Sequence, residues 1–172
     1  MLIFLVGYAG SGKSSMGKHL ARRLGAKFID TDAEVEREVG ATIAEIFHYE
    51  GEEYFRRSER ECVEHIAEQY IDAVVSTGGG LPTWADNMSW LNEHGMTVYL
   101  ERSAEQILSR LSAYGRERRP MFRGKSDEEL LAFMKTQMME REPHYTQARM
   151  TIDCRTMSDA EAVEYIATNL RA

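Results

Sequence analysis

Lys13 and Ser14 close the run Gly7-Tyr-Ala-Gly-Ser-Gly12-Lys13-Ser14, which has the form G-x-x-x-x-G-K-S and follows the apolar run Leu2 to Val6. Such glycines let the backbone curl so that successive amide N–H groups point at phosphate oxygens, and the helix start that follows adds its dipole. Lys13 is then expected to reach the β and γ phosphates of ATP, and the Ser14 hydroxyl to ligate Mg²⁺. Gly10, Ser11, Gly12, Lys13, Ser14 and Ser15 form the candidate ATP site. A chance glycine turn is disfavoured because the lysine, the serine, the strand and the helical pattern from Met16 to Leu24 are all in place. The loop is shared by switches, motors and kinases, so alone it names the ligand and not the reaction.

The next candidates are carboxylates and arginines. The second apolar segment ends Phe28-Ile29-Asp30-Thr31-Asp32. In an extended chain, residues i and i+2 point the same way, so both aspartates are expected at the cleft beyond the sheet edge. Asp30 is the candidate for holding Mg²⁺ through its water shell, and Asp32 for orienting or deprotonating an acceptor hydroxyl; the bland alternative is that Asp32 caps a helix beginning near Ala33. In the helix expected from Gly51 to about Gln69, Arg57 shares a solvated face with Glu61 and Glu64, whereas Arg56 lies on the face of Val63 and Ala67. An arginine aimed at the apolar side needs an anion, and Glu59 stands one turn on to hold it, so Arg56 is read as a carboxylate ligand. Arg141 poses the same problem on the stripe of Leu130, Met134 and Met138, and a satisfied structural arginine is the alternative for each. Gly78-Gly79-Gly80 ends the third apolar run, where a ligand could approach bare backbone; a tight turn is the competing reading. A strand-terminal aspartate of the Walker B kind is absent there.

Residues 114 to 125 carry four arginines and a lysine, in a chain whose net charge is −7. An acidic protein of this kind is not expected to bind nucleic acid or anionic membranes generally. The cluster lies in one irregular segment, residues 112–125, without interleaved stacking aromatics, so a lid over a polyanionic ligand is preferred to a nucleic-acid patch. Arg119, fixed beside Pro120, is its expected contact, and Gly115 and Gly124 its hinges.

These residues need a scaffold. With 172 residues, 43% hydrophobic and 28% charged, the chain suits a single soluble domain, residues 1–172. Leu2 to Val6, Lys27 to Ile29, Ala73 to Val75, Thr97 to Leu100 and Met150 to Ile152 read as buried strands, with helices between them. Thr42 with Glu45, Ser103 with Gln106, Ser126 with Glu129, and Ser158 with Glu161 mark helix starts. Alternation of this kind predicts a parallel α/β sheet with right-handed crossovers and helices on both faces. The longest apolar run is too short to span a membrane, and no leader pattern precedes it, so a cytoplasmic protein is expected. Cys62 and Cys154 fit no metal spacing and are expected to be reduced core thiols.

The motifs together resemble shikimate kinase: Gly7 to Ser14, Asp30-Thr-Asp32, Gly51-Glu52 followed by Phe55-Arg56-x-x-Glu59, Gly78 to Gly80, Arg119-Pro120, and Arg141 with Pro143 and Tyr145. The resemblance covers roughly residues 1 to 155. It implies the fold of the small nucleoside-monophosphate-kinase-like proteins: a five-stranded parallel sheet of order 2-3-1-4-5, flanked by helices, with a mobile lid. It implies ATP-dependent phosphorylation of the 3-hydroxyl of shikimate in aromatic amino-acid biosynthesis, with one Mg²⁺ per subunit and a monomeric enzyme. The implied catalytic residues are Lys13, Asp32 and Arg119; the implied shikimate ligands are Asp32, Arg56, Gly78, Gly79, Gly80 and Arg141, drawing on a segment of about residues 32–60. Met121 stands where the family commonly has leucine, and the spacing from Arg110 to Arg119 leaves open which of Arg110, Arg116 or Arg118 also meets nucleotide. After the last strand, Asp153-Cys154-Arg155 lacks a familiar proline, and Arg155 is the expected cover for the adenine. A gluconate or nucleotide kinase, and a catalytically silent nucleotide-binding regulator, are the competing readings; the intact Lys13, Ser14, Asp30 and Asp32 disfavour the regulator.

Overall fold

The five residues of β1 (Leu2–Val6) are all buried, and their alternation sends them into two separate cores. Leu2, Phe4 and Val6 face one side of the sheet; Ile3 and Leu5 face the other. A strand buried on both faces is the mark of a parallel sheet covered by helices. This is a computed structural model, and it describes residues 1–111 and 113–170.

After β1 the chain runs through α1 (Lys13–Leu24), β2 (Lys27–Asp30), α2 (Thr31–Val39), α3 (Ile43–Tyr49), α4 (Glu52–Gln69) and β3 (Ala73–Ser76). It continues through α5 (Asn87–His94), β4 (Met96–Glu101), α6 (Ala104–Arg110), the short α7 (Ala113–Glu117), α8 (Asp127–Tyr145), β5 (Met150–Asp153) and α9 (Asp159–Asn169), with 3-10 turns at Leu81–Thr83 and Pro120–Phe122. The sheet order is β2-β3-β1-β4-β5, and every pairing is parallel. The expected sheet is therefore present, each strand within a residue or two of its expected bounds.

Local signals set the helix starts. Thr42, Ser103, Ser126 and Ser158 each form the reciprocal capping box anticipated from the sequence, satisfying two otherwise orphaned N–H groups apiece. The core containing Ile3 and Leu5 is closed by Met16 and Leu20 of α1 and by Ala162, Val163 and Ile166 of α9. The core on the other face takes Cys62, Val63 and Ile66 of α4 with Leu130, Met134 and Tyr145 of α8. Both cysteines are free and buried. Burial pushes the Cys62 thiol up to about 12, far from the thiolate a redox or metal role requires.

Two elements differ from the sequence expectation. Asp32 belongs to the first turn of α2 and not to an extended strand end, because Asp30 itself caps that helix: its Oδ1 accepts from the backbone N–H of Asp32 (2.9 Å) and of Ala33 (3.3 Å). On α4, Glu64 pairs with Arg60 at 2.6 Å rather than with Arg57, the i,i+4 geometry being better placed. Helix α8, which carries Arg141, runs through Pro143 to Tyr145. Among the described residues no helix is long and apolar enough to cross a membrane.

Candidate active site

The loop after β1 turns through Gly10 (φ 81°) and Gly12 (φ 98°), left-handed conformations that side chains rarely adopt. Residue 12 leads straight into α1, so the loop amides and the helix start share one concavity. Lys13 is 7% exposed and its Nζ donates to the carbonyl oxygens of Gly7 (2.7 Å) and Tyr8 (2.8 Å). Burial lowers its pKa to about 7, opposed by the negative charges of Asp32 and Asp30. An ammonium held at such cost gains most from an incoming polyanion.

A cavity of about 400 Å³ opens above this loop at the carboxyl edge of β1, lined on one side by Lys13, Ser14 and Ser15 and on the other by Asp30, Asp32, Ser76, Gly78 and Gly79. This is where parallel α/β sheets place ligands. The register of β2 on β3 sets Asp30 opposite Ser76, and there Ser14 Oγ donates to Asp30 Oδ2 at 2.7 Å and lies 3.2 Å from Ser76 Oγ. The three groups are hard oxygen donors at the root of the phosphate loop, the chemistry a magnesium ion prefers. Among the described residues no cluster of three or more histidine, cysteine or acidic side chains could hold a metal.

The acceptor side is built around the three glycines after β3. Gly80 has no room for a side chain: a Cβ there would lie 2.3–2.5 Å from the Arg56 guanidinium. At Gly78 it would lie 2.7 Å from both Asp32 Oδ1 and Glu59 Oε1, and at Gly79 3.4 Å from Arg141 Nη1. One bare turn thus collects Arg56, Asp32, Glu59 and Arg141 from three helices. The Gly78 N–H donates to Thr31 Oγ1 at 2.9 Å, so of the three amides expected to face a ligand this one is spent inside the protein, and its residue contributes space. The Gly79 carbonyl accepts from Tyr145 Oη at 2.5 Å. Because the peptide is trans, fixing that carbonyl turns the Gly80 N–H the opposite way.

Arg56 is 8% exposed, and its Nη1 donates to Glu59 Oε2 at 2.7 Å, the pairing anticipated from helical spacing. Glu59 Oε1 is buried with no hydrogen-bond partner among the described residues. Burial raises the Glu59 carboxyl to about 7, against the pull of Arg56. Burial also raises half-buried Asp32 to about 6; Asp30 adds to the rise and Lys13 opposes it. Glu59 carries a testable sign. Its folded pKa lies above the ordinary glutamate value of 4.5, so its contribution to stability is fully present below about pH 4.5 and is lost as pH rises through about 7. Glu59→Gln cannot titrate. Its stability relative to the native protein, measured by urea unfolding, is expected to improve between pH 5 and pH 8; a constant difference would contradict the raised pKa.

The arginine-rich segment divides its charges. Arg118 and Arg119 line the cavity, joined by Arg110 from the end of α6, whereas Arg116 pairs with Asp127 and Arg123 Nε donates to the Glu117 carbonyl oxygen at 2.5 Å. Arg119 donates to the Gly115 carbonyl at 2.9 Å and stands 6.0 Å from the Phe122 ring. Ser112, the expected first residue of the lid, lies outside the described residues. Arg155 is not brought to the cavity: its Nε donates to Asp153 Oδ1 at 2.8 Å, and Glu101 is 3.5 Å away. Its proposed adenine contact therefore has no support in the geometry, since two carboxylates occupy the guanidinium at the exposed end of β4 and β5.

Two site residues carried no sequence signal of their own. Tyr8, 2% exposed, donates to Gln137 Oε1 at 2.6 Å, stacks on Phe122 at 6.3 Å and lies 5.8 Å from the Arg141 guanidinium carbon. Arg102, 5% exposed, reaches the phosphate loop from behind.

Comparison with known proteins bears on this geometry. The family described as shikimate kinase matches residues 9–171. A shikimate kinase of Parabacteroides distasonis is 41% identical over 168 residues, spanning 98% of this chain and 96% of that protein. The crystal structure of shikimate kinase from Bacteroides thetaiotaomicron superposes with a TM-score of 0.88 at 37% identity, covering 99% of this chain and 96% of that one. Shikimate kinase from Acinetobacter baumannii in complex with shikimate gives 0.83 at 35% identity, with 96% and 89% covered. A glycine-rich phosphate loop facing a carboxylate-and-arginine corner, carried on a sheet of this order and matched over nearly its whole length, places the chain in the shikimate kinase family.

Proposed function

We propose that the protein transfers the γ-phosphoryl group of ATP to the 3-hydroxyl of shikimate, giving shikimate 3-phosphate and ADP. The observation that carries this reading is the glycine turn at which Arg56, Arg141 and Asp32 converge within reach of Lys13. Shikimate is a small carboxylate bearing three hydroxyls, so it needs cations for one end and a hydrogen-bond acceptor for the other. Arg56 and Arg141 hold the carboxylate, with the Gly79 and Gly80 backbone alongside. Asp32 accepts from the reacting hydroxyl and takes its proton as the oxygen attacks.

Lys13 and the loop amides of residues 10–15 hold the β and γ phosphates, and Arg119 neutralises charge on the group in flight. Such a transfer asks the protein mainly for position and electrostatic stabilisation. Ser14 directly, and Asp30 through water, would hold Mg²⁺, with Ser76 beside them; when bound, the ion offsets phosphate charge. Residues 112–125 serve as the lid, closing Arg119 over the phosphates and excluding water that would otherwise compete as acceptor. The net charge of −7 supports action without nucleic acid or anionic membrane; the enzyme acts as a monomer in the cytoplasm, with ATP and shikimate as its partners.

Gly80→Ala probes the corner without removing a charged group. Its backbone (φ −92°, ψ −14°) suits alanine, so the cost falls on Arg56, which has to move. Shikimate affinity is expected to fall about tenfold or more, the loss of roughly one charge-assisted hydrogen bond, with ADP affinity unchanged; undiminished shikimate binding would contradict the placement of Arg56. The proposal as a whole is tested by ADP release from Mg-ATP with shikimate, gluconate and nucleoside monophosphates as acceptors. Turnover with shikimate alone is expected, and turnover with another acceptor while shikimate is inert would overturn it.

A further inference from the structure

Behind the phosphate loop, on the side away from the acceptor corner, two guanidinium groups share one carboxylate. Arg102, at the junction of β4 and α6, sends Nε to the Ser11 carbonyl oxygen at 2.7 Å, Nη1 to the Cys154 carbonyl oxygen at 3.4 Å and Nη2 to Asp159 Oδ1 at 2.5 Å. Arg110, at the end of α6, sends Nη2 to Asp159 Oδ2 at 3.0 Å. A Cβ on Gly12 would lie 3.5 Å from Arg110 Nη2 and 3.6 Å from Arg102 Nη2. Both cations therefore stand against the residue at which the loop becomes helix α1.

Building on the nucleotide-binding reading above, we infer that Arg102 is a positioning residue that presets the phosphate loop for anion binding, and that Asp159 limits the positive charge presented there. The Ser11 carbonyl and the Gly12 N–H are opposite ends of one trans peptide. Holding the carbonyl outward with a buried cation turns the Gly12 N–H toward the cavity and polarises it, so the donor is already aimed when a phosphate arrives. The same fork, through the Cys154 carbonyl, ties the loop to the chain leaving β5, which keeps the loop from relaxing. Arg110 is the more exposed cation, its side chain 40% accessible against 4% for Arg102, and it also lines the cavity. Asp159 offsets charge on both.

This division gives the two partners effects of opposite sign, which a merely structural cluster does not. Isothermal titration with ADP and, separately, with shikimate reads them out. Arg102→Met is expected to weaken ADP binding about tenfold, as one charge-assisted hydrogen bond and its charge are removed, while shikimate affinity stays within twofold. Arg102→Lys, which keeps a charge and one donor, is expected to recover part of the loss. Asp159→Asn is expected to tighten ADP binding a few-fold, a gain that shrinks with added salt because it is electrostatic. Asp159 sits near the surface, with its side chain 32% exposed, so this variant decides the matter should Arg102→Met fail to fold. ADP binding by Arg102→Met within twofold of wild type, equal weakening of ADP and shikimate, or weaker or unchanged ADP binding in Asp159→Asn would overturn the inference. Wild-type protein that takes up no ADP would instead defeat the nucleotide reading itself, and this inference with it.

Discussion

Asp32→Asn is expected to lower kcat by about 10²- to 10⁴-fold, the usual range for removing a positioned general base, while the variant still binds ADP. The reason lies in where the residue sits. Asp32 is held in the first turn of α2 because Asp30 caps that helix, and its Oδ1 lies close against the bare face of Gly78. It shares the cavity with Lys13 and Arg119, so a hydroxyl resting on it faces the phosphate loop. The isosteric amide keeps the shape and loses the proton acceptor. Steady-state kinetics with shikimate as the varied substrate separates the possibilities: a large fall in kcat with a modest change in KM supports the base. A kcat within tenfold of wild type would show that the carboxylate only orients the acceptor.

Arg141→Ala and Arg56→Ala are expected to weaken shikimate binding by about 10- to 150-fold each, since hydrogen bonds to charged groups contribute about 1.5–3 kcal/mol. ADP binding should remain within twofold. Arg141 gives the cleaner experiment, because it approaches the glycine turn beside the Tyr8 ring, whereas Arg56 is paired with a buried carboxylate. Arg56→Ala also leaves Glu59 buried without its partner, so a loss of thermal stability should accompany the loss of affinity. Titration calorimetry distinguishes the cases, and equal weakening of shikimate and ADP by both substitutions would remove the carboxylate clamp from the account.

How much of this was legible in the sequence depends on how local each signal is. The phosphate loop, the four capping boxes and the two-faced burial of Leu2 to Val6 involve residues within a few positions of one another, and each was found where expected. Arg56 with Glu59 was readable for the same reason, being one helical turn apart. Asp32 does line the cavity, but the strand geometry from which it was expected there does not hold, because Asp30 begins a helix two residues earlier than supposed. Arg102 was invisible: its acceptors are Ser11, 91 positions back, and Cys154 and Asp159, more than 50 positions on. Only the sheet order brings those segments together. Tyr8 was hidden likewise, its hydroxyl partner Gln137 being 129 positions away. Arg155, expected over the adenine from its place after a strand end, pairs here with Asp153, two residues before it, a partner that the strand-end argument left out.

The most direct measurement is a crystal structure of the protein with shikimate, ADP and Mg²⁺. The account predicts the shikimate carboxylate between Arg56 and Arg141, a hydroxyl within about 2.5–3.0 Å of Asp32, and the ADP phosphates on the loop from Gly10 to Ser15. Shikimate found with its carboxylate toward Lys13, or bound away from the glycine turn at residues 78–80, would contradict it.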